Sequence, residues 1–101
     1  MDGRAIIEAK MPQVAEICRR HGVRELLLFG SALGPDFGPE SDIDLLVEFD
    51  PNLSITLFDY AEVQFALEAL LGRNVDLVPK KGLKPLIRSE VLSNTRTLYA
   101  A

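Results

Sequence analysis

Two apolar runs, Leu26-Leu27-Leu28-Phe29 and Ile43-Asp44-Leu45-Leu46-Val47-Glu48-Phe49, constrain this chain more than any other feature. The first ends in the step Gly30-Ser31, and ten residues later the second is introduced by Asp42-Ile43-Asp44. Both runs have the length and apolar content of strands. A glycine-serine step at a strand end frees backbone N–H groups to meet an anion, and Gly30 lets the backbone approach it closely. In a strand, residues two apart share a face, so Asp42 and Asp44 project together, about 7 Å apart along the chain. Carboxylates placed so close raise one another's pKa unless a cation sits between them. Magnesium meets that need, because it prefers hard oxygen ligands and lets a nucleotide's phosphates complete its shell.

A third carboxylate follows the same logic. Asn74-Val75-Asp76-Leu77-Val78-Pro79 alternates in strand fashion, with Val75 and Leu77 on one face and Asp76 on the other. If this strand lies beside Ile43–Phe49, Asp76 joins Asp42 and Asp44. Three carboxylates around two cations make a site for in-line phosphoryl or nucleotidyl displacement, stabilising both the attacking and the leaving oxygen.

The rest of the chain reads as flanking helices and turns. Residues 5–21 carry Ile6, Ile7, Val14, Ile17 and Cys18 at helical spacing, with Arg19-Arg20-His21-Gly22 as the stop and Pro12 as either a kink or a later start. Strands follow at Val23–Phe29 and Ile43–Phe49. Between them Ser31 to Leu33 reads as one helical turn, and the glycines and prolines of residues 34–40 as a loop. Its Asp36-Phe37-Gly38 triplet matches a kinase magnesium motif by coincidence, since so short a chain has no room for the remaining kinase parts. Asp42-Ile43-Asp44 begins like a calcium loop but lacks the glycine and closing glutamate. Ser54 is the expected N-cap of a helix to Leu71, with Phe58, Ala61, Phe65 and Leu70 as its buried stripe and Gly72 as its stop. A third strand spans Val75–Val78. Pro85 then opens a last helix, which Leu86, Ile87, Val91 and Leu92 are expected to dock on the sheet. The expected fold is α/β: a small mixed sheet flanked by helices.

Composition narrows the function further. A chain of 101 residues makes one domain, 1–101. Fifteen acidic against eleven basic residues give a net charge of −4, which argues against broad electrostatic binding to nucleic acid. Apolar runs are too short for a membrane span, and the start lacks the layout of a signal peptide, so a cytoplasmic protein is expected. The one cysteine, Cys18, excludes an internal disulfide, and its helical neighbours Val14 and Ile17 mark it as a packing residue. His21, the one histidine, reads as a helix-end cap rather than a catalytic group.

Gly30-Ser31, ten residues, Asp42-x-Asp44 and a lone Asp76 on a later strand together resemble the DNA polymerase beta-like nucleotidyltransferases, in particular the minimal stand-alone ones of prokaryotes. The resemblance runs through Phe29-Gly30-Ser31, Ser41 to Phe49, Leu70 to Val78 and the Ile87 to Leu92 helix. It implies a polymerase beta-like core in which Gly30 and Ser31 grip a triphosphate, Asp42 and Asp44 bind both of two magnesium ions, and Asp76 binds the catalytic one and helps deprotonate the incoming hydroxyl. Where the family commonly has a basic residue just after Gly-Ser, this chain has Ala32-Leu33-Gly34-Pro35. The cluster Lys80, Lys81, Lys84 and Arg88 is the candidate replacement, with Lys84 and Arg88 one helical turn apart; a merely solvated face is the plainer alternative. The resemblance further implies AMP transfer from ATP to a tyrosine hydroxyl of a partner toxin of the HEPN fold (higher-eukaryote-and-prokaryote nucleotide-binding), in homo- or hetero-oligomeric assembly. The rival reading is an antitoxin that masks its partner by contact alone.

Overall fold

The computed structural model describes residues 3–30, 38 and 41–101. The expected helical turn from Ser31 to Leu33, Ser31 itself, and the Asp36-Phe37 pair lie outside them. The first helical region is two helices, α1 (Gly3–Glu8) and α2 (Met11–Arg20). Pro12 causes the break: it lacks an N–H and its ring obstructs the preceding turn, faults that cost nothing at a helix's first turn. His21 caps α2, its N–H donating to the Ile17 carbonyl.

Strands β1 (Val23–Phe29) and β2 (Ile43–Phe49) occupy the residues expected of them. Asp50 turns the chain by accepting the Asn52 N–H at 2.9 Å. Helix α3 (Leu57–Leu71) then starts two residues later than Ser54 would set it. Thr56 is the cap, because Asp59 reaches back to accept both its backbone N–H (2.7 Å) and its hydroxyl (3.0 Å). Gly72 ends α3 in the left-handed region, at φ 67°.

Strand β3 (Val75–Pro79), a short 3-10 turn (Lys80–Gly82), helix α4 (Pro85–Ser93) and strand β4 (Arg96–Ala100) complete the chain. The sheet order is β3-β2-β1-β4. β1 runs antiparallel to both β2 and β4, while β2 and β3 are parallel and α3 is their crossover.

One face of the sheet buries Leu26, Leu28, Ile43, Leu45, Val47 and Val75 against Ile7, Val14 and Cys18 from the first helices and Val63, Leu67 and Leu71 from α3. Burial pushes the Cys18 thiol up to about 12, despite the opposing influence of Arg19, which fits a packing role. The buried stripe of α3 is therefore not the expected one: Phe58 and Phe65 are 80% and 65% exposed. The helix carries large apolar residues on both faces, and the sheet takes the face about half a turn away from Phe58 and Phe65. The expected docking of α4 holds only in part: Val91 and Leu92 are half-buried, while Ile87 is 46% exposed. None of its residues is buried, and Leu86 is 97% exposed.

Candidate active site

Alternation decides what the second face of the sheet carries. In β2, Ile43, Leu45 and Val47 enter the core, so Asp44, Leu46 and Glu48 point the other way. The parallel register pairs Asp44 with Asp76 directly, and the antiparallel register pairs Asp44 with Phe29 at the end of β1. Thus the end of β1 and the beginnings of β2 and β3 meet at one end of the sheet. Asp42 stands immediately before β2, two positions from Asp44.

Gly30 is fitted to this corner. Its φ of 75° is a conformation that disfavours side chains, and a Cβ there would lie 2.3 Å from the Asp44 carboxylate oxygen Oδ2. The absent side chain is what lets the Asp44 carboxylate stand over the end of β1. Ser31, the second expected phosphate-gripping residue, is outside the described residues.

Asp42 and Asp76 are exposed and Asp44 is half-buried. In this arrangement no three His, Cys, Asp or Glu side chains among the described residues stand close enough together to hold a metal ion. The parallel register makes Asp44 and Asp76 lateral neighbours, and Asp42 stands two positions before Asp44. The donor set is all carboxylate oxygen, the chemistry magnesium prefers.

One contributor escaped the sequence reading. The Arg73 guanidinium donates to the carbonyls of Gly38 and of Ser41, the latter at 2.9 Å. Gly38 and Ser41 also bond to each other, the Ser41 N–H to the Gly38 carbonyl (3.1 Å) and the Gly38 N–H to the Ser41 hydroxyl (3.0 Å). Next to Arg73, the Asn74 carbonyl accepts the Ile43 N–H at 2.9 Å, and Glu68 accepts the Val75 N–H at 2.9 Å. Arg73 therefore anchors the segment that delivers Asp42. Its only signal in the sequence is its place between the α3 stop and the Asp76 strand.

The basic cluster divides. β3 carries the chain away from Asp76, so Lys80 emerges roughly 13 Å farther along (four rises of about 3.3 Å) and pairs with Glu25 near the start of β1. The proposed neutralisation of a triphosphate does not suit Lys80, which is committed at the opposite end of the sheet. Lys84, at the N-cap of α4, and Arg88, within it, are both exposed. Arg96 pairs with Leu28, near the carboxylate end of the sheet.

A family model described as a nucleotidyltransferase domain matches residues 11–98. This chain belongs to that nucleotidyltransferase family. The protein adenylyltransferase MntA of Thermococcus cleftensis is 44% identical to this nucleotidyltransferase over 77 residues, 76% of either chain. A solved minimal nucleotidyltransferase superimposes with a TM-score of 0.78 at 38% identity, covering 95% of both chains. The sheet order and the flanking helices described above are thus those of a minimal nucleotidyltransferase. The fold also matches, at a TM-score of 0.66 and 19% identity over 93% of this chain and 72% of the other, a chain from the complex of a tri-AMPylated Shewanella oneidensis HEPN toxin with its MNT antitoxin.

Proposed function

We propose that this nucleotidyltransferase transfers AMP from ATP to a tyrosine hydroxyl of a HEPN-domain toxin, as the antitoxin of a cytoplasmic toxin–antitoxin pair. The observation that carries the reading is the lateral pairing of Asp44 with Asp76 at the corner where Gly30 has no side chain. It unites the two halves of a nucleotidyltransfer site that lie more than thirty residues apart in sequence. The 44% identity to a protein adenylyltransferase supports the choice of AMP and of a protein acceptor.

The chain's own residues would act as follows. Gly30 and Ser31 receive the triphosphate, with Lys84 and Arg88 as further contacts to it. Asp42, Asp44 and Asp76 would hold two magnesium ions, which when bound supply positive charge to the phosphate oxygens. Asp76 helps take the proton from the incoming hydroxyl, whose oxygen bonds to the α-phosphorus as the bond to the β-phosphate oxygen breaks. The products are the O-AMP ester and pyrophosphate.

The test is incubation with ATP labelled at the α-phosphate, magnesium and the HEPN protein, followed by intact mass measurement. A mass gain of one or more AMP units, lost with chelator, is the expected result. Tight binding without any transfer would favour the second reading, an antitoxin acting by contact alone. One observation favours that reading: Lys80, a candidate substitute for the basic residue missing after Ser31, is occupied by Glu25.

A further inference from the structure

The outer face of α3 is apolar where a solvated helix is polar. Leu57, Phe58 and Phe65 are 85%, 80% and 65% exposed, and Ala61 and Ala69 continue the same side. Spacings of i, i+3, i+7 and i+11 from Phe58 set Phe58, Ala61, Phe65 and Ala69 in one stripe, directly opposite Val63 and Leu67 in the core. Together the three large side chains offer on the order of 400 Å² of apolar surface, the size that marks an interaction site on a soluble domain. That is about half of what one partner contributes to an interface of ordinary size, and suits its desolvated centre.

Charge selects the occupant. The charged side chains of α3 are all acidic, Asp59, Glu62 and Glu68; Asp59 is held by Thr56 and Glu68 by the Val75 N–H, and Lys10 meets the last turn at the Leu70 carbonyl, so Glu62 is the carboxylate beside the stripe. Glu62 keeps 64% of its side chain exposed even though His21 stands 3.7 Å away. Pairing this face with the same face of a second copy would set carboxylates against carboxylates, a juxtaposition that suppresses association. A partner helix with Leu-type anchors three and four residues apart and Lys or Arg on its flanks meets both the stripe and the rim.

We propose that the α3 outer face docks a basic amphipathic helix of a partner protein. This rests on the reading of the chain as one that acts on a protein partner, and adds where that partner sits. Because α3 packs on the core face while Asp44 and Asp76 occupy the other, docking and nucleotide binding lie on opposite sides of the sheet. Partner capture is then separable from nucleotidyl transfer. The partner's acceptor hydroxyl reaches the carboxylates from a segment other than the docked helix.

The experiment uses the full chain and two labelled synthetic helical peptides with the same leucine anchors, one flanked by lysines and one by glutamates, read by fluorescence anisotropy. The lysine peptide is expected to bind, and at least tenfold more tightly than the glutamate peptide. Phe58→Ser together with Phe65→Ser should weaken it at least tenfold while leaving the thermal shift produced by magnesium ATP unchanged. Glu62→Lys, which leaves the stripe intact, should narrow or reverse the preference between the peptides. Equal binding of both peptides, or undiminished binding by the double variant, overturns the proposal. So does sedimentation of the wild type as a dimer that the double variant abolishes, since the face would then belong to a second copy. If the lysine peptide binds as expected but the HEPN protein does not, the docking face stands and the assignment of the partner fails.

Discussion

The two faces of β2 divide the labour of the molecule. Ile43, Leu45 and Val47 look into a continuous apolar core, each nearly or wholly inaccessible to water. Asp44 and Glu48, one residue out of phase, look away from it, with Leu46 between them. On the first face every contact is hydrophobic and its worth scales with buried area. On the second, Asp44 and Asp76 are neighbours in register, and the exposed Asp76 adds nothing to the core. The difference teaches that stability and chemistry can be perturbed independently in a strand only seven residues long, because a period of two keeps them apart.

The sharpest break of this comparison is on the carboxylate face. Asp42→Asn and Asp76→Asn should each abolish AMP transfer, measured by label incorporation, with melting temperature shifted by no more than exposed substitutions usually shift it, about 0.5 kcal/mol in stability. Either variant retaining wild-type turnover would remove that residue from the site. The opposite outcome is expected from the core face. Leu45→Ala, at a fully buried position, should cost about 2 to 5 kcal/mol in denaturant unfolding. At a temperature where it remains folded, its magnesium ATP affinity should be near that of the wild type.

How much of this was legible in the sequence depends on whether a pattern is local. β1 and β2 were legible to the residue, since alternation or an apolar run was bounded by glycine, proline or aspartate. The break at Pro12 was legible as an alternative for the same reason. α3 was not, because a helix with Leu57, Phe58, Val63, Phe65, Leu67, Leu70 and Leu71 has apolar residues all round, and only the sheet it meets decides which go inside. β4 escaped because Arg96-Thr97-Leu98-Tyr99 is an edge strand with one buried residue, Leu98, too few to set a rhythm. The lateral pairing of Asp44 and Asp76 could be stated only as a condition, because it depends on a register between strands more than thirty residues apart. Arg73 escaped for the same cause: its carbonyl partners lie 32 and 35 positions upstream.

Arg73 tests whether the carboxylate face is a set of side chains or a set held in place. Arg73→Ala leaves Asp42, Asp44 and Asp76 present but frees the carbonyls of Gly38 and Ser41, the latter next to Asp42. Small misplacements of reacting groups can cost as much as about a hundredfold in rate, so a loss of ten- to a hundredfold in kcat is expected, with a smaller change in magnesium ATP affinity. Arg73→Lys should recover part of it, because an ammonium can still donate to the carbonyls. An alanine variant with full kcat would show that Asp42 is positioned without Arg73.

The smallest expected effect lies where the fold gives the least support. Lys84 and Arg88 are exposed on α4, a helix with no buried residue, and Lys80, on the turn after β3, is taken up by Glu25. Exposed charges act through water and salt, and each is worth about 0.2 to 1 kcal/mol. Replacing both by glutamine should therefore weaken magnesium ATP binding in calorimetry by at most about 2 kcal/mol together, roughly thirtyfold, with an effect that shrinks as salt is raised. Stability should hold, because neither side chain fills the core. A loss far above roughly thirtyfold would mean that α4 closes over the triphosphate and desolvates the pair. No loss at all would assign them to the solvated surface and leave the Gly30 corner and the carboxylates to bind the nucleotide without them.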